Sequence, residues 1–559
     1  MSSLSKRLAL YVNTVRWLRL SQLVWFIYRR LRPVVNPAFV PSEPHRANFA
    51  ATTFAGTPEP SICELRFLNQ STSADPVNLD WHPGDRSRLW RYNLHYFDYL
   101  QWQVIPEEYK QAYIDSWLTD NPMGVEDSWE PYTISLRIVN WIKYFAMSAD
   151  AIPSAWQESL INQANWLLRN VEHHILANHL LKNAKALLFA GVWFEGPLGR
   201  RLLRVGLDYF LRELDEQFLA DGGHFERSPM YHCIALEDCL DVLNLVDGNS
   251  DLFGKSVREQ IYRKAKQAMH FLDQILCADG RIPLFNDASF DIAVHPSELF
   301  KYGQRLVDYQ QLSPARQPLR IALLESGYFG YRWGTDSFLI DCGEGGPDYQ
   351  LGHMHCDTLS YELCIDGVRI VADSGVHGYE HDDTRHYLRS TAAHNTVTLN
   401  NAEQSEIWGT FRVARRARPL RPRLSQIEDG KLSFEGSHDG YRRLRQNALH
   451  KRRVEIDLTG YWVIKDVLTG SGSAEAKSFV HFGPGVRVLQ KDDGICELLV
   501  NDKMVARLVV DAGCAMRTEP NYVATGFGVR VETESLIISR AGELPLQLGY
   551  RLERHGPFT

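Results

Sequence analysis

The feature that most constrains the fold is a change in hydrophobic period near residue 313. Before it, from residue 85 to 312, apolar side chains recur at i, i+3, i+4 and i+7, the repeat of amphipathic helices. After it, from residue 321 to 559, apolar and polar side chains alternate with a period of two, as in strands. The sequence therefore predicts an α+β multidomain chain, with an α domain over 85–312, a linker at 313–320 and a β domain over 321–559. The clearest helical segments are 128–147, 154–175, 199–219 and 256–276.

Each half of the chain favours a particular architecture. Successive helices separated by short Gly, Pro or Asn breaks predict antiparallel packing as a bundle, a toroid or a solenoid. In the second half, Asp366 and Gly367 lie between two alternating segments and predict a tight two-residue hairpin. Many short strands without intervening helices predict an antiparallel sandwich.

Residues 1–84 form a lead-in whose first part is basic and aromatic. Seven Lys and Arg precede Pro33, with no acidic residue among them. The segment has no continuous apolar run long enough to span a bilayer and no small-residue cleavage site, so we expect neither a spanning helix nor a signal peptide. It could lie on a membrane surface, or dock on the body through its Trp and Leu side chains. We expect a chain that is cytoplasmic or peripheral at the cytoplasmic face of the membrane.

Charge and cysteine content limit the function classes. The net charge of −7 over 559 residues argues against general nucleic-acid binding, although local basic clusters could still bind an anionic substrate. The nine cysteines are dispersed without a CxxC pair, which is typical of reduced, buried thiols. The oligomeric state does not follow from the sequence.

The segment 178–191 holds polar side chains that a helix does not need. A helix from about Asn178 to about Phe189 would place Asn178 and Lys182 on one face, opposite its leucines. A cap is the simple alternative for Asn178 and His179.

The segment 222–232 predicts a helix start with an unusual density of polar groups. Ser228 is a good N-cap and Pro229 suits the first helical position. Tyr231 then lies at the positive end of the helix, which favours a phenolate and attracts an anionic ligand. Simple packing of a tyrosine at a helix start is the alternative. The polar set that favours a site is His224, Glu226, Arg227, Tyr231 and His232.

The segment 351–375 places His353 and His355 just before the hairpin. On a strand the two histidines would point to the same side and, with Asp373 and His394, could bind zinc, which takes His nitrogen and Asp oxygen ligands. A tight hairpin places Asp373 opposite Ser360, so residues 353–358 must bend back for His355 to reach it. A nearby basic set could face a polyanion or form a solvated strand face: Arg385, Arg389, Arg412, Arg415 and Arg416.

Taken together, "NHLLKNAKALLFAG", "GGHFERSPMYH", "GHMHCDTLSYELCIDGVRIVADSG" and "RSTAAHNTVTL…EQSEIWGTFRVARRA" resemble the signatures of the heparinase II/III-like polysaccharide lyases and related alginate lyases. The resemblance covers about residues 85–490. It implies an incomplete α/α toroid followed by an antiparallel β-sandwich, with the active site in the cleft between them. It also implies cleavage of an anionic polysaccharide that contains uronic acid, by β-elimination.

The resemblance assigns roles residue by residue. Asn178 and His179 would hold the substrate carboxylate, while Tyr231 and His353 would serve as base and acid, in an order that the sequence leaves open. His355, Asp373 and His394 would hold a structural zinc. The predicted substrate-binding residues are Glu226, Arg227, Arg137 and Arg389, with Tyr379 or Tyr387 as a second tyrosine.

Two departures and two rival functions accompany this prediction. Met354 and Cys356 stand where such proteins usually have Gly and Ala. The thiol of Cys356 could be an apolar filler or join the metal. A uronate C5-epimerase would use the same intermediate, and a catalytically silent glycan-binding protein would keep the fold.

Overall fold

The computed structural model describes residues 3–31, 47–51, 54, 64–148, 151–312, 317–492 and 494–556. None of the helices in these ranges is both long and apolar enough to cross a bilayer. Residues 313–316 of the predicted linker lie outside the described residues. The helices are α1 Ser3–Val15, α2 Leu20–Leu31, α3 Arg88–Tyr96, α4 Glu107–Asp120, α5 Pro131–Met147, α6 Ser154–Arg169, α7 Ala177–Trp193, α8 Gly196–Gln217, α9 Pro229–Gly248, α10 Lys255–Ile275, α11 Pro296–Gly303 and α12 Asp383–Arg389.

The helices of the first domain form an inner and an outer set. Nearly every residue of α5, α7 and α9 is buried, so these helices form the inside of the domain. Helices α8 and α10 bury only one stripe and expose the opposite face, as amphipathic outer helices do. Helix α7 packs between α5 on one side and α8 on the other.

The second domain is built from strands. Asp366 and Gly367 both have positive φ, and Ile365 pairs with Val368 across them, so the predicted hairpin is confirmed. The strands are β1 Glu64–Phe67, β2 Gln70–Ser73, β3 Leu319–Leu323, β4 Tyr328–Trp333, β5 Asp336–Asp341, β6 Tyr361–Ile365, β7 Val368–Val371, β8 Val397–Leu399, β9 Ile407–Trp408, β10 Arg412–Val413, β11 Pro419–Leu424, β12 Lys431–His438, β13 Leu449–Asp457, β14 Tyr461–Thr469, β15 Ser473–His481, β16 Val486–Asp492, β17 Ile495–Val500, β18 Lys503–Val510, β19 Ala515–Gly526, β20 Val529–Glu543 and β21 Leu546–Arg554.

Three antiparallel sheets enclose one apolar core. The large sheet has the order β11-β12-β13-β14-β21-β18-β17-β16, and the other two are β3-β4-β5-β6-β7 and β19-β20-β15-β8. A bridge between Val371 and Phe482 joins the two smaller sheets. Trp462 of the large sheet donates to the hydroxyl of Tyr331 on the smaller one at 3.1 Å. These contacts confirm the predicted sandwich behind a helical toroid.

The two domains share a border and are also bridged by the N-terminal helices. Apolar side chains of the first strands, such as Ile321 and Tyr328, belong to the core of the helical domain. Trp17, just after α1, lies under the guanidinium of Arg416 in the sandwich, at 4.5 Å from ring centroid to Cζ. In α2, the Trp25 ring lies 4.5 Å from that of His173 in the helical domain. One face of this helical pair therefore docks on the body.

The described cysteines behave as the sequence predicts. All eight are free, and seven are buried, which agrees with reduced thiols. Cys63 lies outside the described residues.

Candidate active site

Tyr231 begins helix α9 in the predicted way. The Ser228 hydroxyl caps the helix by accepting from the Tyr231 backbone N–H at 3.2 Å, and Pro229 occupies the first turn. The Tyr231 hydroxyl lies 3.0 Å from the hydroxyl of Tyr379, which comes from the sandwich. Burial raises the pKa of both hydroxyls well above the ordinary value, so both are phenols. Of the two candidate second tyrosines, the structure brings Tyr379 to the site.

His353 stacks on Tyr231 and contacts carboxylates through both ring nitrogens. The two rings lie 3.9 Å apart between centroids, with 29° between their planes. The Nδ1 of His353 lies 2.8 Å from Asp287, and its Nε2 lies 3.4 Å from Glu226. An imidazole that donates Nδ1–H to a carboxylate presents a lone pair on Nε2, which is the arrangement of a general base.

Asp287 contacts three other side chains of the site, and no feature of the sequence indicates that it belongs there. Its buried carboxylate also accepts from the Nη2 of Arg385 at 2.9 Å and lies 2.8 Å from the Nε2 of His355. Burial alone would raise the pKa of this carboxyl, but Arg385 and the two imidazoles hold it well below its usual range. Asp287 lies in an irregular segment between α10 and α11, and only the tertiary fold brings it to His353.

Asn178 is presented by a strained backbone. Leu176 has φ 67° and ψ −155°, a region that side chains rarely adopt, and Ala177 has φ 53°. Such residues cost of the order of 1–3 kcal/mol each and persist where the surrounding structure fixes them. They turn the chain into α7, where the Asn178 amide nitrogen lies 3.0 and 3.1 Å from the two carboxylate oxygens of Glu226. Glu226 therefore holds the side-chain amide of Asn178 in place at the start of α7.

His179 completes the polar group on the helical side. Its Nδ1 lies 3.1 Å from Glu172, and its ring lies 4.4 Å from the ring of Tyr132. Burial alone would lower the pKa of this imidazole, but the Glu172 carboxylate raises it. The side chain remains 32% exposed, so a protonated ring can meet an anion from the cleft. Glu172 and Tyr132 are further residues that the sequence did not indicate.

Glu226 contacts other side chains of the site. It is 2% exposed and bonds Asn178, so it orients that amide and lies beside His353. The sequence predicts that Glu226 contacts substrate, whereas in the structure its oxygens are occupied by these protein groups.

Two predicted substrate-binding residues lie away from the cleft. Arg137 is fully buried in α5, where it donates to Gln163 at 2.9 Å and lies over the ring of Trp117. Tyr387 donates to Asn521 at 2.9 Å on another side of the sandwich. The prediction for Arg137 is wrong, because its guanidinium is buried inside the toroid. Tyr387 bonds Asn521, and it is Tyr379 that contacts Tyr231.

Two further predicted residues support the loops of the site. Arg227 donates to the carbonyl oxygens of Ser326 and Glu344, so its guanidinium points into the domain border. Arg389 is buried and donates to the Met354 carbonyl oxygen at 3.0 and 3.1 Å, between the two histidines. Neither guanidinium is directed at a substrate, since protein carbonyls occupy both.

The predicted metal ligands lie next to the site. His353 and His355 belong to an irregular segment, so the predicted strand is wrong and the segment bends back as the hairpin requires. The Nδ1 of His394 lies 2.9 Å from Asp373, and Ser360 donates to the same carboxylate at 2.9 Å. The rings of His355 and His394 are 5.3 Å apart, and His355 Nδ1 and His394 Nε2 are both buried without a partner. The donor types suit zinc, but Asp373 bonds the Nδ1 of His394 while the unpartnered atom is Nε2, so the three donors do not converge on one point as they stand.

A different trio brings its donor atoms closer. Over the part of the chain that the structure describes, the group with donors within 4.8 Å of one another is Cys277, Asp279 and Cys364, at the domain border. The Asp279 carboxylate is already paired with Arg369 at 3.0 Å. Cys356 is buried and donates to the Ser405 carbonyl oxygen, as an apolar filler with a weak hydrogen bond does.

A cavity of about 140 Å³ continues from Tyr379 and Arg385. Gln70 and Ser87 line it on one side, and Phe527 lies on the sandwich side. The cleft therefore extends beyond the tyrosine pair with walls from both parts of the chain.

An α/α toroid joined to an antiparallel sandwich, with phenolic and ionisable groups of both domains in one cleft, defines a two-domain class of fold. Two family models match the chain: "Heparinase II/III N-terminus" over residues 69–308 and "Heparinase II/III-like, C-terminal" over residues 315–549. The chain belongs to the heparinase II/III-like family, which confirms the resemblance.

The relatives agree with this assignment. A heparin-sulfate lyase of Bacteroides stercoris is 24% identical over 80% of this chain and 68% of its own. Another, from Pedobacter heparinus, is 25% identical, with the match covering 53% of this chain and 49% of that protein. FtsZ-localized protein C of Caulobacter vibrioides is 23% identical over 71% of this chain and 67% of its own. The solved structure of heparinase III has a TM-score of 0.67 at 17% identity, covering 95% of this chain and 88% of that chain, and shows the same fold. The two lyase relatives support the predicted enzyme class, a polysaccharide lyase.

Proposed function

We propose that this chain cleaves a uronic-acid-containing polysaccharide by β-elimination in the cleft between the toroid and the sandwich. The observation that carries the proposal is the contact of Tyr231 from one domain with Tyr379 and His353 from the other. The Tyr231 phenol and the His353 imidazole, which is bonded to Asp287, therefore lie in the same cleft. Elimination requires an acid and a base placed in this way.

The C5 proton of a uronate is removable only when the neighbouring carboxylate is neutralised. In the proposal, the side-chain amide of Asn178 and the protonated ring of His179 bind that carboxylate. Both groups are held in advance, by Glu226 and Glu172 respectively. Fixed donors of this kind stabilise the enolate-like intermediate without reorganisation.

The proton transfers follow from the two environments. Nε2 of His353 takes the C5 proton, and Asp287 stabilises the resulting imidazolium through Nδ1. The electron pair of the C5–H bond forms the C4–C5 double bond as the C4–O4 bond breaks. The leaving O4 takes the proton of Tyr231, whose raised pKa keeps it a phenol until that moment. Tyr379 then stabilises the Tyr231 phenolate by donating a hydrogen bond.

We further propose a structural zinc held by His355, Asp373 and His394. Its support is chemical: two imidazoles with unpartnered buried nitrogens lie beside a buried carboxylate. Bound there, the ion would fix the segment that carries His353. It would take no part in the proton transfers.

A panel of uronate polymers tests the proposal, with absorbance of the new C4–C5 double bond as the readout. Rising absorbance with a purified chain, and none with Tyr231→Phe, is the expected result. Solvent deuterium entering C5 without absorbance would make the protein an epimerase. Binding to a polymer with neither signal would make it a silent glycan-binding protein, and either outcome would overturn the lyase.

A further inference from the structure

The outward faces of α1 and α2 expose more apolar surface than a docked helical pair needs. Sixteen large hydrophobic side chains are exposed among the described residues, and ten of them fall within residues 3–31. Large exposed apolar patches mark interaction sites in soluble proteins. We call this patch the outer face of the helical pair: Leu8, Val12, Val15, Leu20, Val24, Phe26, Ile27 and Leu31.

The outer face is distinct from the face that docks on the body. Docking uses Trp17, Trp25 and Gln22, whose amide donates to the Tyr349 carbonyl oxygen at 3.4 Å. These three side chains are buried or half-buried. Tyr11 also belongs to the docking contact, because its ring lies 4.7 Å from that of Trp408 in the sandwich. Because the helices are already anchored by their polar-aromatic side, the exposed leucine, isoleucine and phenylalanine side chains have no role in that docking.

Positive charge surrounds the outer face. Lys6, Arg7, Arg16 and Arg30 are exposed, and no acidic residue occurs before Glu43. Arg19 and Arg29 are turned inward instead, toward Glu216 and His174. An apolar strip with basic residues and no acidic ones matches the interface of an anionic bilayer, where apolar groups enter the acyl boundary and cations meet headgroups.

A second copy of the chain matches this face poorly. A twofold contact sets the same patch against itself, so it would bring the exposed Arg and Lys side chains of both copies together without an acid between them. Helices α1 and α2, of 13 and 12 residues, are also too short to span a bilayer. Lying in the plane of a membrane surface would bury the outer face and pair its basic residues with anionic headgroups.

We propose that α1 and α2 form a docking surface for anionic membranes. The pair bridges the two domains, through Arg416 on one side and His173 on the other, so it carries the whole body to the bilayer. This proposal does not depend on the lyase reaction.

Sedimentation of the full chain with lipid vesicles tests the surface. We expect binding to vesicles of phosphatidylglycerol and phosphatidylethanolamine, much weaker binding to phosphatidylcholine alone, and loss of binding as salt rises. Ile27→Glu should weaken binding more than about tenfold, because it removes one buried aliphatic side chain. Arg16→Gln should weaken it roughly fivefold, the share of one basic residue at an anionic surface.

Leu324→Glu is the matched control, since Leu324 is 71% exposed but lies on the sandwich. It should bind vesicles like the unmodified chain. Equal loss in Leu324→Glu and Ile27→Glu, or no binding to anionic vesicles, would overturn the proposal. A dimer in analytical ultracentrifugation that Ile27→Glu dissociates, without vesicle binding, would assign the face to a second copy.

Discussion

The three tyrosines at or near the cleft give a graded prediction, because the structure assigns each hydroxyl a different environment. Tyr231 is the proposed acid, Tyr379 bonds it at 3.0 Å, and Tyr387 bonds Asn521 elsewhere. Phenylalanine removes only the hydroxyl in each case. The three substitutions therefore separate the loss of the acid, the loss of its partner and a change remote from the chemistry.

The expected sizes follow from these roles. Loss of a general acid costs about 10²–10⁴-fold in rate, so Tyr231→Phe should lower kcat by that range. Tyr379→Phe removes one hydrogen bond to the acid, worth about 0.5–1.5 kcal/mol net, and should lower kcat only about 2–13-fold. Tyr387→Phe should leave kcat unchanged.

Initial rates of double-bond formation at saturating polymer measure all three, with circular dichroism to verify folding. The test is whether the loss of kcat is largest for Tyr231→Phe, smaller for Tyr379→Phe and absent for Tyr387→Phe. A Tyr379→Phe variant as slow as Tyr231→Phe would mean that Tyr379 itself transfers the proton. A slow Tyr387→Phe variant would refute the position of the site.

Two further predictions concern charge and metal. Because Glu172 raises the pKa of His179, the imidazolium persists below that raised value and is lost as pH rises through it, so KM should rise there. Glu172→Gln should move this rise in KM to lower pH. Glu130→Gln, which removes a weaker contributor to the same pKa shift, should move it less. If the unmodified protein and both variants show the same dependence of KM on pH, the role of His179 is refuted. His394→Ala should lose bound zinc in elemental analysis and unfold several degrees lower, while His438→Ala, another buried histidine of the sandwich, should keep the ion. If the protein is isolated without metal and is fully active, the proposed zinc site is refuted.

Local sequence signals predicted the parts of the site that local structure determines. Ser228 and Pro229 determine the start of α9 and hence the position of Tyr231. The helix with Asn178 begins one residue earlier than predicted, at Ala177. Asp366 and Gly367 adopt the positive φ values that their hairpin requires. These features depend on a few neighbouring residues, so one sequence is sufficient to predict them.

The errors arise where distant segments meet. Asp287 reaches His353 across 66 positions of sequence, and no periodicity records that contact. Arg137 is predicted to bind substrate, yet its guanidinium is buried inside the toroid, where it donates to Gln163. Tyr379 precedes helix α12 and Tyr387 lies within it, eight positions later, and no local signal in the sequence shows which of the two reaches Tyr231.

Because Asp287 contacts residues of the other domain, activity should depend on the contact between the two domains. This carboxylate belongs to the helical domain, whereas His353, His355 and Arg385 belong to the sandwich. Any separation of the domains removes the Asp287 carboxylate from His353, the proposed base, and breaks the buried ion pair of Asp287 with Arg385. Mild heat or denaturant should therefore inactivate the protein before helix content falls, since the active site is lost when the two halves part.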